Sequence, residues 1–356
     1  MVKSKEDDNA FRYLKWRGDL NFDQDPFNDV DSFIISQLTF LELMISDDNN
    51  PKPLKQALAP YSKLKKFDEI NLGVMIPKDC LKLGKTLIKI NRFHNLIISD
   101  FVKTVNAELI EQFCALTLHL NDELMVVAFQ GTDDTLIGWE ENFDMITKFP
   151  IPAQESAKKY IDLMAEKYPN KKIITTGHSK GGNLSVYAGL FTSYQNRIVQ
   201  IYNFDGPGFE LKNIDMDIIK DNINKVINIY PEHSTVGMIF DHLGKTKIIK
   251  SNEKGLLQHN GFSWTIDYNH FSKATLSNNS LKFHDDLNEL VQGMSEEERN
   301  EFSSSLRRYV EKINVNTLVE LSNIPVKPIF AYKEFSKKEK TFINRFIKLF
   351  IQNRML

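Results

Sequence analysis

The chain reads as an α/β protein, a mainly parallel sheet with helices on both faces, extended by helical N- and C-terminal regions. Three observations predict this. First, β-branched and apolar runs alternate with helix-like segments from about residue 113 to residue 230, the order expected of strand–helix–strand units. Second, the strand-like runs 113–120 and 124–130 are separated by Asn121-Asp122-Glu123, a hairpin signal. Third, the β-branched run at 172–176 enters Gly177-His178-Ser179-Lys180-Gly181, and an apolar segment with small residues follows, so a G-x-S-x-G pattern stands between strand and helix.

The expected organisation is a helical N-terminal region over 1–110 packed on the core, an α/β core over 111–275, a helical region over 276–332 and a basic amphipathic helix over 333–356. With 356 residues and 42% hydrophobic content the chain is long enough and apolar enough to bury a large core. A formal net charge of −2 argues against nucleic acid as a partner. Two cysteines, Cys80 and Cys114, are too few for a disulfide framework and lack metal-binding spacing, so a reducing cytoplasm is expected. The charged start Met1-Val2-Lys3-Ser4-Lys5-Glu6 does not fit an export signal, and no apolar run reaches membrane-spanning length.

Taken in order, 11–31 is rich in aromatic and acidic residues and has little periodicity. A helix is expected to open at Asp25-Pro26, with Asp25 as cap and Pro26 in the first turn, because Phe27, Val30, Ile34, Leu38, Leu41 and Ile45 recur at steps of three and four. Residues 54–110 read as several short helices with a break at Ile76-Pro77. A helix over about 155–168 leads to the strand before Ser179. The strand 198–204, a helix near 214–222, and strands at 225–230 and 247–250 follow. Helices are expected at 281–294 and 295–321, the second opening on Ser295-Glu296-Glu297-Glu298.

At Ser179 the sharp turn requires a strained backbone and close chain contacts that glycine permits, and it lifts Oγ to where a substrate reaches it. The helix that follows directs its N–H groups and positive dipole end toward a developing oxyanion. The competing reading is a glycine-rich turn that merely opens a helix.

Together, Phe129-Gln130-Gly131-Thr132, the elbow at Ser179 and Phe204-Asp205-Gly206-Pro207-Gly208-Phe209 resemble the α/β-hydrolase fold in its lipase class 3 form. More narrowly, with Tyr13-Leu14-Lys15-Trp16-Arg17-Gly18-Asp19 and the helix over 27–38, the chain resembles the bacterial Mbeg1-like group of lipase-like proteins from about residue 11 to 270. The resemblance implies an acyl hydrolase and no particular substrate.

A serine nucleophile needs a histidine base, and the histidine needs an acid to hold its tautomer. The order Ser, acid, His in this fold leaves His233, His242, His259, His270 and His284. His259 is favoured because its glycine-bounded loop, Gly255 to Gly261, follows the strand 247–250. Asp205, at the end of the first strand after the elbow helix, is the favoured acid, with Glu232 and Asp241 in reserve. Lipase class 3 proteins carry the acid one strand later in Asp-x-Val-Pro, where this chain reads Ser234-Thr235-Val236-Gly237. The backbone N–H of Lys180 and the residue Thr132 are the expected oxyanion donors, Gln130 standing where the class 3 pattern has arginine. Trp139 to Phe143 reads as a lid or a substrate wall, or as packing.

No metal or cofactor motif is present. Gly84-Lys85-Thr86 and Gly244-Lys245-Thr246 lack the earlier glycine of a phosphate loop, having Asp79 and Ile239 there. From Lys333 onward seven Lys or Arg stand against two Glu, while Phe342, Ile343, Phe346, Ile347, Phe350 and Ile351 share one helical face. Such a helix suits an anionic membrane surface, which would make the protein peripheral there, or docks on its own chain. Two functions follow: a serine acyl hydrolase acting on an acyl ester or lipid, and a non-catalytic protein of the same fold that serves membrane or protein association.

Overall fold

The eight strands of the main sheet lie side by side in chain order in the computed structural model, which describes residues 8–41, 51–63, 76–133, 135–313 and 335–352. They are β1 (Lys52–Pro53), β2 (Ile97–Asn106), β3 (Glu111–His119), β4 (Leu124–Phe129), β5 (Lys172–His178), β6 (Ile198–Phe204), β7 (Val226–Pro231) and β8 (Lys245–Ile249). β1 to β4 pair antiparallel, and β4 to β8 run parallel. Among the described residues the helices of eight residues or more are α1 (Ala10–Arg17), α2 (Asp29–Leu38), α3 (Asp79–Leu87), α4 (Leu136–Asp144), α5 (Pro152–Lys167), α6 (Lys180–Phe191), α7 (Asn278–Gln292), α8 (Glu296–Ile313) and α9 (Lys337–Gln352). This is the expected α/β architecture, a mainly parallel sheet covered on both faces.

Sequential parallel strands joined by crossovers of one hand put the connecting helices on one side of the sheet. Alternate strand residues show the division. Met125, Val127 and Phe129 of β4 join α5 and α6 in one buried cluster, whereas Val126 and Ala128 join Phe33, Ile34 and Leu38 of α2 in the other. The N-terminal region therefore supplies the second face. Ser32 of α2 hydrogen-bonds Thr176 of β5 at 2.9 Å. Phe33 packs on Phe204, Phe262 and Trp264, and a methyl group on Gly261 would lie 2.3 Å from its ring.

Three local expectations change. The helix expected from Asp25-Pro26 begins at Asp29, because Asn28 accepts from the N–H groups of Val30 and Asp31 while Asp31 accepts from Asn28 N, a reciprocal cap. Residues 10–17, read as aperiodic, form α1, capped by Asn9. Residues 97–106, read as helical, are β2. A register shift between Ser99 and Val102, with Asp100 at φ 55°, breaks the alternation that signals a strand.

At the other end, Ser295 and Glu298 cap α8 reciprocally, as expected; the stretch 314–321 of that expected helix lies outside the described residues. Ile343 and Leu349 of α9 are buried, Leu349 in a cluster with Tyr230, Met238, Phe240, Phe283, Leu287 and Val291. Part of the apolar face of the basic helix thus packs on its own chain. Among the described residues no helix is long and apolar enough to cross a membrane.

Candidate active site

Ser179 is at φ 57° and ψ −133° between β5 and α6, a backbone conformation that costs a non-glycine residue energy and recurs at functional turns. The flanking glycines are sterically required. A methyl group on Gly177 would lie 2.0 Å from the Gly181 carbonyl oxygen, and one on Gly181 would lie 2.2 Å from that of Phe129. Ser179 N donates to Phe204 O at 2.9 Å, which ties the elbow to the end of β6, and the Ser179 side is only half-buried.

Asp205 follows β6 at φ 47° and is fully buried. Its carboxylate accepts from three groups: His259 Nδ1 meets Oδ2 at 2.7 Å, while Ser234 Oγ and Gly237 N reach Oδ1 at 2.5 and 3.2 Å. With Nδ1–H donated to Asp205, His259 keeps the Nε2 lone pair for a proton. The His259 side chain is 20% exposed, so it can be reached from solvent. A direct bond from His259 Nε2 to Ser179 Oγ is not among those of the described residues; such contacts tighten when substrate binds.

The loop that carries His259 is held from several sides. Gln258 O accepts from the buried Trp264 Nε1 at 2.7 Å, and Gln258 Oε1 accepts from His233 N at 2.9 Å. His178 stacks on His259 with ring centroids 4.7 Å apart and donates from Nε2 to the His259 carbonyl at 2.9 Å. Burial, helped by the His259 ring and opposed by Asp205, pushes the His178 pKa down to about 3, so its imidazole is neutral. No local pattern marks His178 for this contact, because its partner lies 81 residues away.

Of the other candidates, His242, His284 and Asp241 are engaged elsewhere. His242 uses both nitrogens, Nδ1 with Tyr230 OH at 2.6 Å and Nε2 with Gly237 O at 2.5 Å. His284 Nδ1 bonds Met238 O, and Asp241 faces His284 at 3.6 Å. His270 lies exposed in a two-residue ribbon strand. Glu232 pairs through its backbone with Ile249 and Ser277. The carboxylate that meets His259 is that of Asp205.

Thr132 and Lys180 face the same corner. A methyl group on Gly131 would lie 3.1 Å from Ser179 Cβ and 2.7 Å from His178 O, so the residues after β4 abut the elbow. Thr132 is buried, and its Oγ1 accepts from Asn142 Nδ2 at 2.8 Å. Lys180 opens α6, where a backbone N–H has no acceptor within the helix. Its side chain turns inward: Nζ donates to Glu141 Oε2 and to Gln112 O, both at 2.7 Å. Residues 139–143, read as lid, wall or packing, lie in α4, which carries Glu141 and Asn142 into these contacts. Gln130, in place of arginine, donates from Nε2 to Thr39 O at 2.7 Å and so joins β4 to the end of α2. Among the described residues no group of three or more His, Cys, Asp or Glu is arranged to hold a metal ion.

A family model described as Mbeg1-like matches residues 87–308. No curated protein matches the chain. Solved structures similar to it include a triacylglycerol lipase from Penicillium expansum, at 13% identity and TM-score 0.32, covering 44% of this chain and 70% of that one. The Lip2 lipase from Yarrowia lipolytica is 14% identical with TM-score 0.33, covering 52% and 73%. A Rhizomucor miehei lipase in complex with its propeptide is 14% identical with TM-score 0.36, covering 64% and 70%.

Proposed function

The chain belongs to the Mbeg1-like family, and from that premise and the geometry around its elbow serine we propose that it is a serine acyl hydrolase that cleaves a carboxylic ester of acyl or lipid type. The observation that carries this reading is the 2.7 Å contact of His259 Nδ1 with the buried Asp205 carboxylate, at the same strand ends as a serine held at φ 57°.

In this reading His259 Nε2 takes the Ser179 hydroxyl proton as Oγ attacks the ester carbonyl, and Asp205 stabilises the imidazolium. The Lys180 N–H and Thr132 stabilise the negative charge that develops on the carbonyl oxygen. Collapse of the tetrahedral species returns the proton to the departing alcohol and leaves the acyl group on Ser179. Water, deprotonated by the same histidine, then releases the acid and restores the serine.

Incubation with a fluorophosphonate probe and mapping of the adduct tests this. We expect one adduct on Ser179 and none in Ser179→Ala. Labelling that is absent, or equal in the variant, rejects the reading in favour of a non-catalytic protein of this fold.

A further inference from the structure

We propose that Glu141 is a positioning residue whose ion pair with Lys180 sets the separation of the two oxyanion donors. The proposal rests on the serine hydrolase reading above. Lysine directly after the nucleophile is buried to 1% side-chain exposure, and its partner Glu141 to 0%. A buried charge is costly unless paired and hydrogen-bonded; here the two charges pair with each other, and both also bond backbone groups. Glu141 Oε2 accepts from Lys180 Nζ and from Gln112 N, and Oε1 accepts from Ala153 N at 2.9 Å. The carboxylate thus joins the start of β3, the first turn of α5 and the first residue of α6.

The next residue on α4 makes the connection to catalysis. Asn142 Nδ2 holds Thr132 Oγ1 at 2.8 Å. Two consecutive residues of one helix therefore grip both sides of the oxyanion site: Glu141 holds the residue that presents its N–H, and Asn142 holds the hydroxyl of the second donor. Apart from the backbone groups it satisfies, such a pair adds little stability over an apolar pair of similar volume. What the ion pair adds is direction, and oxyanion donors act only within a narrow distance of the developing charge.

The experiment compares the wild-type chain with Glu141→Gln, Lys180→Met and the double variant E141L/K180M, which keeps the backbone N–H of residue 180 and removes both buried charges. Fluorophosphonate labelling of the wild type is read first, then kcat and KM on p-nitrophenyl butyrate, inhibition by an alkyl trifluoromethyl ketone, and thermal melting. A displaced donor lowers kcat by about 100-fold, with KM within about twofold, and weakens the ketone by the same factor. We expect this in the double variant, no more severely than in either single variant. A single variant that fails to fold does not rescue the proposal, because the double variant carries no unpaired charge. A folded double variant with wild-type kcat and ketone affinity overturns the brace and leaves the hydrolase reading intact. A wild type that does not react at Ser179 overturns both.

Discussion

Ser234 Oγ donates to Asp205 Oδ1 at 2.5 Å, on the carboxylate oxygen opposite the one that meets His259 Nδ1. Ser234, just beyond β7, thus supports a carboxylate presented by the neighbouring strand. Asp205→Asn leaves the shape intact and mis-sets the histidine tautomer, so we expect kcat to fall by about 10⁴. Ser234→Ala removes one charge-assisted bond while Gly237 N remains, and the expected loss is about tenfold. Steady-state hydrolysis of a p-nitrophenyl ester measures both. Full activity in Asp205→Asn would remove it as the proposed acid.

Thr132 and Asn142 allow a second test. Thr132→Val keeps the volume and backbone N–H and deletes the hydroxyl, and loss of one such donor lowers kcat by about 100-fold. Asn142→Ala leaves the hydroxyl without its 2.8 Å partner, and a smaller loss in kcat is expected with KM unchanged. A change confined to KM in both variants would assign the pair to substrate binding instead.

The legible parts of this chain are those fixed by neighbours in sequence. The strand at 198–204, the hairpin around Asn121-Asp122-Glu123 and the elbow depend on local runs and, at the elbow, on Gly177, whose added methyl would meet the nearby Gly181 carbonyl at 2.0 Å. Where long-range contacts decide, local signals mislead. Asp25 resembles a helix cap, yet its carbonyl accepts from Arg92 Nη1 at 2.9 Å, and the cap passes to Asn28. β2 hides behind its bulge. Glu141 shows no pattern that marks it, because Lys180 lies 39 residues on.

His178 makes stability depend on pH. Its pKa is pushed down to about 3 by burial, against an ordinary value of 6.5. Below about pH 6.5 the unfolded chain binds a proton that the folded chain refuses, so stability falls on acidification toward pH 3, at up to about 1.4 kcal/mol per pH unit. Glutamine retains a donor for the His259 carbonyl and does not titrate. Urea unfolding at pH 7 and pH 5 is expected to show the wild type losing about 2 kcal/mol more than His178→Gln. Equal losses would mean that His178 takes up its proton in the folded state.

Glycines 181 and 189, both in α6, are expected to differ sharply. Alanine at 181 drives a methyl group to 2.2 Å from Phe129 O and 2.8 Å from the Gln130 carbonyl carbon, backbone atoms that cannot move without distorting β4. At 189 the methyl meets the Ile201 side chain at 2.7 Å, which can rotate. Gly181→Ala should cost more than about 3 kcal/mol and Gly189→Ala about 1–3 kcal/mol. Melting temperatures rank them, and an equal pair would contradict the tight crossing of α6 over β4.

Leu349 separates the two fates of the basic helix. It is 7% exposed in the cluster with Phe283, Leu287 and Tyr230, whereas Arg345 and Lys348 point to solvent. Were α9 free to lie on a membrane, Leu349 would contribute nothing to stability in solution. Because it is packed, Leu349→Ala should cost about 2–3 kcal/mol. With Ile343 and Leu349 packed on the chain, the charge of α9 is what an anionic membrane would meet most strongly, a contact screened over about 8 Å at physiological salt. We therefore expect Leu349→Ala to lower the urea midpoint and to leave co-sedimentation with anionic vesicles at 0.15 M salt unchanged. An unchanged midpoint together with reduced vesicle binding would instead assign α9 to the membrane.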